Sequence, residues 1–284
     1  MRTRLRSLRA ELAEVRGQSH PIRYIAASLL LKTGVSPSFV IIQRAGYKLR
    51  FYPTALTRFM WSNENARMED EAFFSRYLRP GDAVIDVGAN IGHLSLLAGT
   101  LVGPGGSVVA IEAHPRTLRY LTGNIALNDT TNIAAVHCAV GSEAGTLHLS
   151  SAHNDDLNAV APDGSGLTVP VLPLDGMELP GSAIALLKID VEGYEKYVIE
   201  GGAQTLKRTQ CIYFETKDAH AERYGYTSNQ LIEQIRGAGF SLYKAPGDGR
   251  KLVPLENPYR SPETQNVVGA RDVEDFMTRT GYTL

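Results

Sequence analysis

Residues 84–98, VIDVGANIGHLSLLA, limit the fold more than any other stretch of this 284-residue chain. Residues 84–87 are a short apolar β run, Gly88-Ala89-Asn90-Ile91-Gly92 is a turn, and Leu94, Leu96, Leu97 and Leu101 recur at a helical period. A buried strand therefore feeds a helix N-terminus. Such a junction offers backbone N–H groups and the positive end of a helix dipole, and its glycines let a ligand approach the main chain. The fingerprint of a dinucleotide site is G-x-G-x-x-G, but Asn90 holds the place of the second glycine. Asp86 is expected to put a carboxylate at the mouth of the turn, where it repels phosphate and attracts an amine or a cation. A small zwitterionic ligand fits this pattern better than a pyrophosphate.

From residue 83 the chain alternates strand and helix. Strands are expected at 83–88, 107–112, 133–140, 184–190 and 210–216, and helices at 92–102, 115–127, 195–207 and 228–238. Apolar strands between amphipathic helices predict an α/β domain whose parallel sheet is covered on both faces. Two last strands, 240–245 and 265–270, lack an intervening helix and should pair antiparallel at one edge. Residues 146–176 should form two short strands flanking a mobile loop over the site.

Residues 1–65 read as an N-terminal helical and β-hairpin extension, and 66–284 as the main domain. The extension opens with a basic amphipathic helix bearing Arg2, Arg4, Arg6, Arg9 and Arg16 opposite Leu5, Leu8, Leu12 and Val15. Its apolar stripe suits packing on the body or a homodimer, and attraction to an anionic membrane is the sharper alternative. A helix near 22–33 and a hairpin turning at Ala45-Gly46 follow. The apolar run at 24–31 is too short to span a bilayer, so no stable membrane insertion is expected. A net charge of -1 gives no pull toward nucleic acid. Cys138 and Cys211 read as free thiols in a reducing compartment, and the expected location is cytoplasmic.

Ligands of open parallel sheets bind beyond the carboxyl ends of the strands. Those ends carry Asp86 to Gly88, Glu112-Ala113-His114, Cys138 to Val140, Asp190-Val191-Glu192 and Glu215. Most finish in a carboxylate, and an acid that ends a buried strand needs a partner.

The runs PGDAVIDVGANIGHLSLLA, VVAIEAHP, LLKIDVEGYE and IYFE resemble the FkbM family of S-adenosylmethionine-dependent methyltransferases over roughly residues 67–270. The resemblance implies a Rossmann-like class I methyltransferase fold: a mostly parallel seven-stranded sheet with its last strand antiparallel. It also implies S-adenosylmethionine as cofactor and methyl transfer to a hydroxyl or, in some members, an amide nitrogen. By that resemblance Gly88, Ala89, Asn90 and Gly92 would admit the methionyl portion and ribose, with Asp86 near the amino-acid end. Glu112 would hold the ribose hydroxyls, with Ala113 and His114 beside it near adenine. Cys138, Ala139 and Val140 would line the adenine, His93 would cap its helix or touch the cofactor, and Asp190 would lie near the sulfonium.

An alcohol acceptor needs a base. Candidates are Asp190, Glu192 and Glu215 at the strand ends, with His153 and His220 on neighbouring loops. Converging acids would also suit Mg²⁺, but no dedicated ligand motif is present, so a metal is compatible and not favoured. The leading expectation is O-methylation of a sugar or secondary-metabolite hydroxyl, with a small-molecule acceptor as partner. N-methylation of an amide or peptide side chain is the alternative within the class. An NAD-dependent oxidoreductase is the alternative outside it, weakened by the absent G-x-G-x-x-G.

Overall fold

The computed structural model describes residues 15–150, 160–161, 164–246 and 249–284. The chain forms two compact units, one within residues 15–68 and the other from residue 69 onward.

In the first unit, α1 (Pro21–Thr33) starts on a proline, whose fixed φ suits the first helical turn, and ends on Gly34 at φ 69°. A hairpin follows, β1 (Ile41–Arg44) and β2 (Tyr47–Arg50), with Arg44 opposite Tyr47 across the two-residue Ala45-Gly46 turn. Then comes α2 (Ala55–Ser62), opened by a Thr54–Thr57 capping box. The basic segment expected at the start of the chain lies outside the described residues as far as residue 14.

Helix α3 (Met68–Tyr77) leads to the large sheet of the second unit. Its strands are β3 (Ala83–Val87), β4 (Ser107–Ile111), β5 (Ile133–Val136), β9 (Ile184–Ile189), β10 (Thr209–Thr216), β11 (Ser241–Lys244), β12 (Val253–Pro254) and β13 (Gln265–Ala270), in the order β12-β11-β13-β10-β9-β3-β4-β5. All neighbours from β5 to β10 pair parallel, whereas β13 runs antiparallel to both β10 and β11. This is the Rossmann-like order expected of a class I methyltransferase, extended at one edge by the short β12. Every residue of β3 and β9 is buried, as strands covered on both faces require. The covering helices are α4 (His93–Val102), α5 (Pro115–Leu127), α6 (Glu195–Glu200), α7 (Ala203–Lys207), α8 (Asp218–Arg223), α9 (Ser228–Gly237) and α10 (Val273–Thr280).

Two expectations need correction, and two helices are additional to those expected. The strand anticipated at 133–140 ends at Val136, and β6 (Ala139–Val140) joins β7 (Gly145–Leu149) and β8 (Leu167–Leu172) in a separate three-stranded sheet. The helix anticipated at 195–207 is broken by Gly201-Gly202 into α6 and α7. Helices α8 and α10 were not anticipated, and α10 packs Phe276 against Tyr77 and Tyr282 while Arg279 pairs with Asp82 at 3.0 Å.

In this order the chain runs from β3 through β4 to β5 on one side and returns to β9 and β10 on the other, so the winding reverses between the neighbours β3 and β9. Ligands of doubly wound sheets bind at such a switch point. The amide of Asp190, just beyond β9, donates to the Val87 carbonyl at 3.1 Å and locks the two strand ends together.

Candidate active site

The turn after β3 does not offer the free N–H groups expected of it. Gly88 and Ala89 both donate to the Ile111 carbonyl at 2.9 and 3.0 Å, and Gly92 donates to Ala89 at 2.9 Å. The Asn90 amide donates to Glu112 Oε2 at 2.9 Å and that of Ile91 to Asn90 Oδ1 at 2.7 Å. Every amide from Gly88 to Gly92 is thus satisfied by the protein, so the turn does not cradle an oxyanion, and the space that its glycines leave is taken by the Asp190 carbonyl at Gly88 and by Leu121 at Gly92. Asn90 has φ 52°, a left-handed conformation that asparagine tolerates better than most residues. Glu112 fastens the turn to the end of β4, because its other oxygen accepts from the His114 amide at 2.8 Å. Burial raises its carboxyl to about 7 against the opposing pull of those two N–H groups.

Asp86 departs from its expected place. Its carboxylate is buried beneath the turn, with Oδ1 3.0 Å from Lys188 Nζ and Oδ2 accepting from Ser95 Oγ at 2.5 Å. A buried strand turns alternate side chains to opposite faces, and here the carboxylate faces the neighbouring lysine of β9. Lys188 also donates to the Gly88 carbonyl at 2.8 Å and lies 3.8 Å from Asp190 Oδ2. Burial depresses the lysine's pKa, but Asp86 and Asp190 outweigh that and hold it raised, hence protonated. Asp190 keeps 36% of its side chain exposed at the switch point, so it can meet a ligand where Asp86 cannot.

Beyond Asp190 the chain makes a second tight turn. Glu192 has φ 55° and Gly193 φ 102°. Glu195 holds this turn from within: its Oε1 accepts from the Val191 amide at 3.2 Å and the Gly193 amide at 3.0 Å. Tyr226 Oη lies 2.7 Å from the Gly193 carbonyl and 3.2 Å from Glu195 Oε2. Burial raises the Glu195 carboxyl to about 7 despite the N–H groups it accepts. The turn presents Glu192 to the start of α8, where Oε2 is 3.4 Å from His220 Nδ1. A Cβ on Gly193 would stand 2.6 Å from the His220 carbonyl, so this approach requires glycine. One ligand atom each from Glu192, Glu215 and His220 falls within 4.8 Å of the others. Burial, followed by Lys217 and Arg223, lowers the His220 pKa and leaves the ring neutral at pH 7.

The remaining residues singled out by sequence divide into three groups. Cys138, Ala139 and Val140 lie just past the end of β5 and are buried, the thiol being pushed up to about 11 by burial. Both cysteines are free. Ala113 is half-buried, His114 caps α5 by accepting from the Arg116 amide at 3.2 Å, and His93 is buried at the start of α4. His153 lies outside the described residues. Glu195 and Tyr226 are not among the site residues expected from sequence; the signal is the E-G-Y-E spacing of residues 192–195, which puts an acid within reach of the turn's amides.

The family model for the methyltransferase FkbM domain matches residues 86–242, more than half of the chain. The chain belongs to the FkbM methyltransferase family. It is accordingly an S-adenosylmethionine-dependent methyltransferase. This FkbM-type chain is 29% identical to the 31-O-demethyl-FK506 methyltransferase FkbM of Streptomyces tacrolimicus, over 58% of this chain and 75% of that one. It is 32% identical to the protein-L-isoaspartate O-methyltransferase of Aeropyrum pernix, over 38% of this chain and 39% of that one. Similar solved structures include the methyltransferase FkbM of Methylobacillus flagellatus, at 13% identity and a TM-score of 0.45, covering 87% of this chain and 59% of that one. Aeropyrum pernix fibrillarin with bound S-adenosylmethionine is similar at 13% identity and a TM-score of 0.42, covering 68% of each chain.

The residues present fit this cofactor. A partly exposed carboxylate, that of Asp190, stands at the strand ends where a cationic ligand can meet it, whereas Glu112 is buried with both oxygens accepting from backbone amides, and the spent amides of the turn disfavour a pyrophosphate. Among the described residues no helix is long and apolar enough to cross a membrane.

Proposed function

We propose that the protein methylates a hydroxyl oxygen of a sugar or secondary metabolite. The observation that supports this most is the gathering of Glu192, Glu215 and His220 around one point at the carboxyl ends of β9 and β10. An alcohol is a poor nucleophile until its proton is drawn away, and a neutral imidazole flanked by two carboxylates is suited to that task. Glu192, at 3.4 Å from His220 Nδ1, would orient the ring and favour the charge it takes up. S-adenosylmethionine supplies the electrophilic methyl group. Asp190, two residues before Glu192 and at the switch point, is placed to favour the adjoining positive charge while the neighbouring cluster holds the acceptor oxygen. Much of the acceleration would come from that alignment, since the transfer is an in-line displacement. The name of the Streptomyces relative, which specifies a 31-O position, points the same way.

The test is incubation with methyl-labelled S-adenosylmethionine and a panel of sugars, polyketide alcohols and amide-bearing peptides. Label recovered on a hydroxyl oxygen supports the reading; label confined to amide nitrogen overturns it.

A further inference from the structure

We propose that Glu192, Glu215 and His220 form a divalent-cation site that holds and acidifies the acceptor hydroxyl. This inference rests on the reading of that cluster as the acceptor's place, and it gives His220 the role of ligand instead of that of base. Three observations carry it beyond a patch of acids. The set is mixed, pairing two carboxylates with an imidazole, which suits cations of the Mn²⁺ and Mg²⁺ class and their borderline neighbours. The donors come from two separate stretches of chain, the turn after β9 and the junction of β10 with α8, so that the fold and not a single loop brings them together.

The spacing also approaches that of a coordination shell. In an octahedron with metal–oxygen distances of about 2.1 Å, adjacent ligands stand about 3 Å apart and opposite ones about 4.2 Å. The Glu192 Oε2 to His220 Nδ1 distance of 3.4 Å is near the adjacent value, and 4.8 Å bounds the whole set. A cation here would relieve the repulsion between the two carboxylates. All three side chains are half-buried, leaving the open coordination positions for oxygens of an acceptor. The hydroxyl proton then leaves to solvent from a cation-bound oxygen instead of passing to His220, which is occupied as a ligand.

The test is titration of the full-length protein with Mn²⁺ alone, followed by electron paramagnetic resonance and calorimetry, in wild type, Glu215→Gln and His220→Ala. We expect one saturable Mn²⁺ site in wild type, weakened at least tenfold in both variants while their melting temperatures and S-adenosylhomocysteine affinities stay at the wild-type level. Absence of saturable binding, or binding of equal strength in the variants, overturns the site. Should a variant fail to fold, Glu192→Gln replaces it in the same comparison. The two readings fail separately. Methyl transfer to a hydroxyl that persists undiminished in EDTA sinks the cation site and leaves O-methylation standing. Tight Mn²⁺ binding with label only on amide nitrogen does the reverse.

Discussion

Glu195→Gln distinguishes a carboxylate from a carboxylic acid at the heart of the site. Folding raises the Glu195 carboxyl from 4.5 to about 7, so the native state binds its proton more tightly than the unfolded chain. A raised native pKa contributes stability that is fully present below the unfolded value and is lost as pH climbs through the native one. At about 1.4 kcal/mol for each pH unit that separates the two values, the loss approaches about 3 kcal/mol by pH 8. The hydrogen bonds agree with a neutral acid. Tyr226 Oη has one proton and two acceptors within reach, the Gly193 carbonyl at 2.7 Å and Glu195 Oε2 at 3.2 Å, so a proton on the acid lets both contacts be hydrogen bonds. Glutamine reproduces this pattern: its carbonyl oxygen accepts from Val191 and Gly193, and its amide donates to Tyr226. We expect the stability of the variant relative to wild type to rise by about 2–3 kcal/mol between pH 5 and pH 8, read from urea unfolding of both proteins at each pH. Taking the difference cancels Glu112 and every other group common to the two. A difference that stays flat or falls with pH would refute the assignment of a protonated Glu195.

Three further substitutions probe the site's other supports. Lys188→Met strips Asp86 of its cation in a place where the carboxylate is only 1% exposed, and should cost about 3–5 kcal/mol in urea unfolding; a loss below about 1 kcal/mol would show that the pair is not what neutralises Asp86. Gly88→Ala sets a Cβ 1.9 Å from the Asp190 carbonyl at φ 77°, so S-adenosylhomocysteine affinity should fall at least tenfold by calorimetry, and unchanged affinity with unchanged stability would disprove the close contact. Asp190→Asn should leave the fold intact, depress methyl transfer, and weaken S-adenosylmethionine about tenfold more than S-adenosylhomocysteine, whose sulfur carries no charge. Equal weakening of both ligands would separate Asp190 from the sulfonium.

Much of the fold was legible because burial leaves a period in the sequence. The continuous apolar runs of β3 and β9 could only be strands covered on both faces, and Ala45-Gly46 marked a hairpin whose register is the one observed. The end of β5 was not legible, since the apolar run through Val140 does not reveal that its last residues pair with β8. Helix α10 had readable signals, an Asp272 cap and Gly281 at φ 69°, but no motif directed attention to it. At the site, strand-end positions were recoverable from topology, and the acids found there include Glu192 and Glu215, which the structure brings close to His220. Orientation was not recoverable: the pattern of a strand buried on both faces cannot say whether Asp86 points to a ligand or to Lys188. Nor could spacing show the gathering of three donors from two separate stretches of chain, or that the turn's amides are already spent.

The two glycines of the site both yield their space to a neighbour's carbonyl: Gly88 to that of Asp190, and Gly193 to that of His220. Residues 190–193 are therefore gripped at both ends by main-chain contacts that carry no side-chain chemistry. For an engineer this divides the site into a chassis and its fittings. Neither glycine can be exchanged to widen the pocket without displacing a strand end or a helix start. The side chains mounted around them can be changed while the backbone keeps its place, so acceptor scope should be redesigned through the surroundings of Glu192, Glu215 and His220, with those three and the turns left alone.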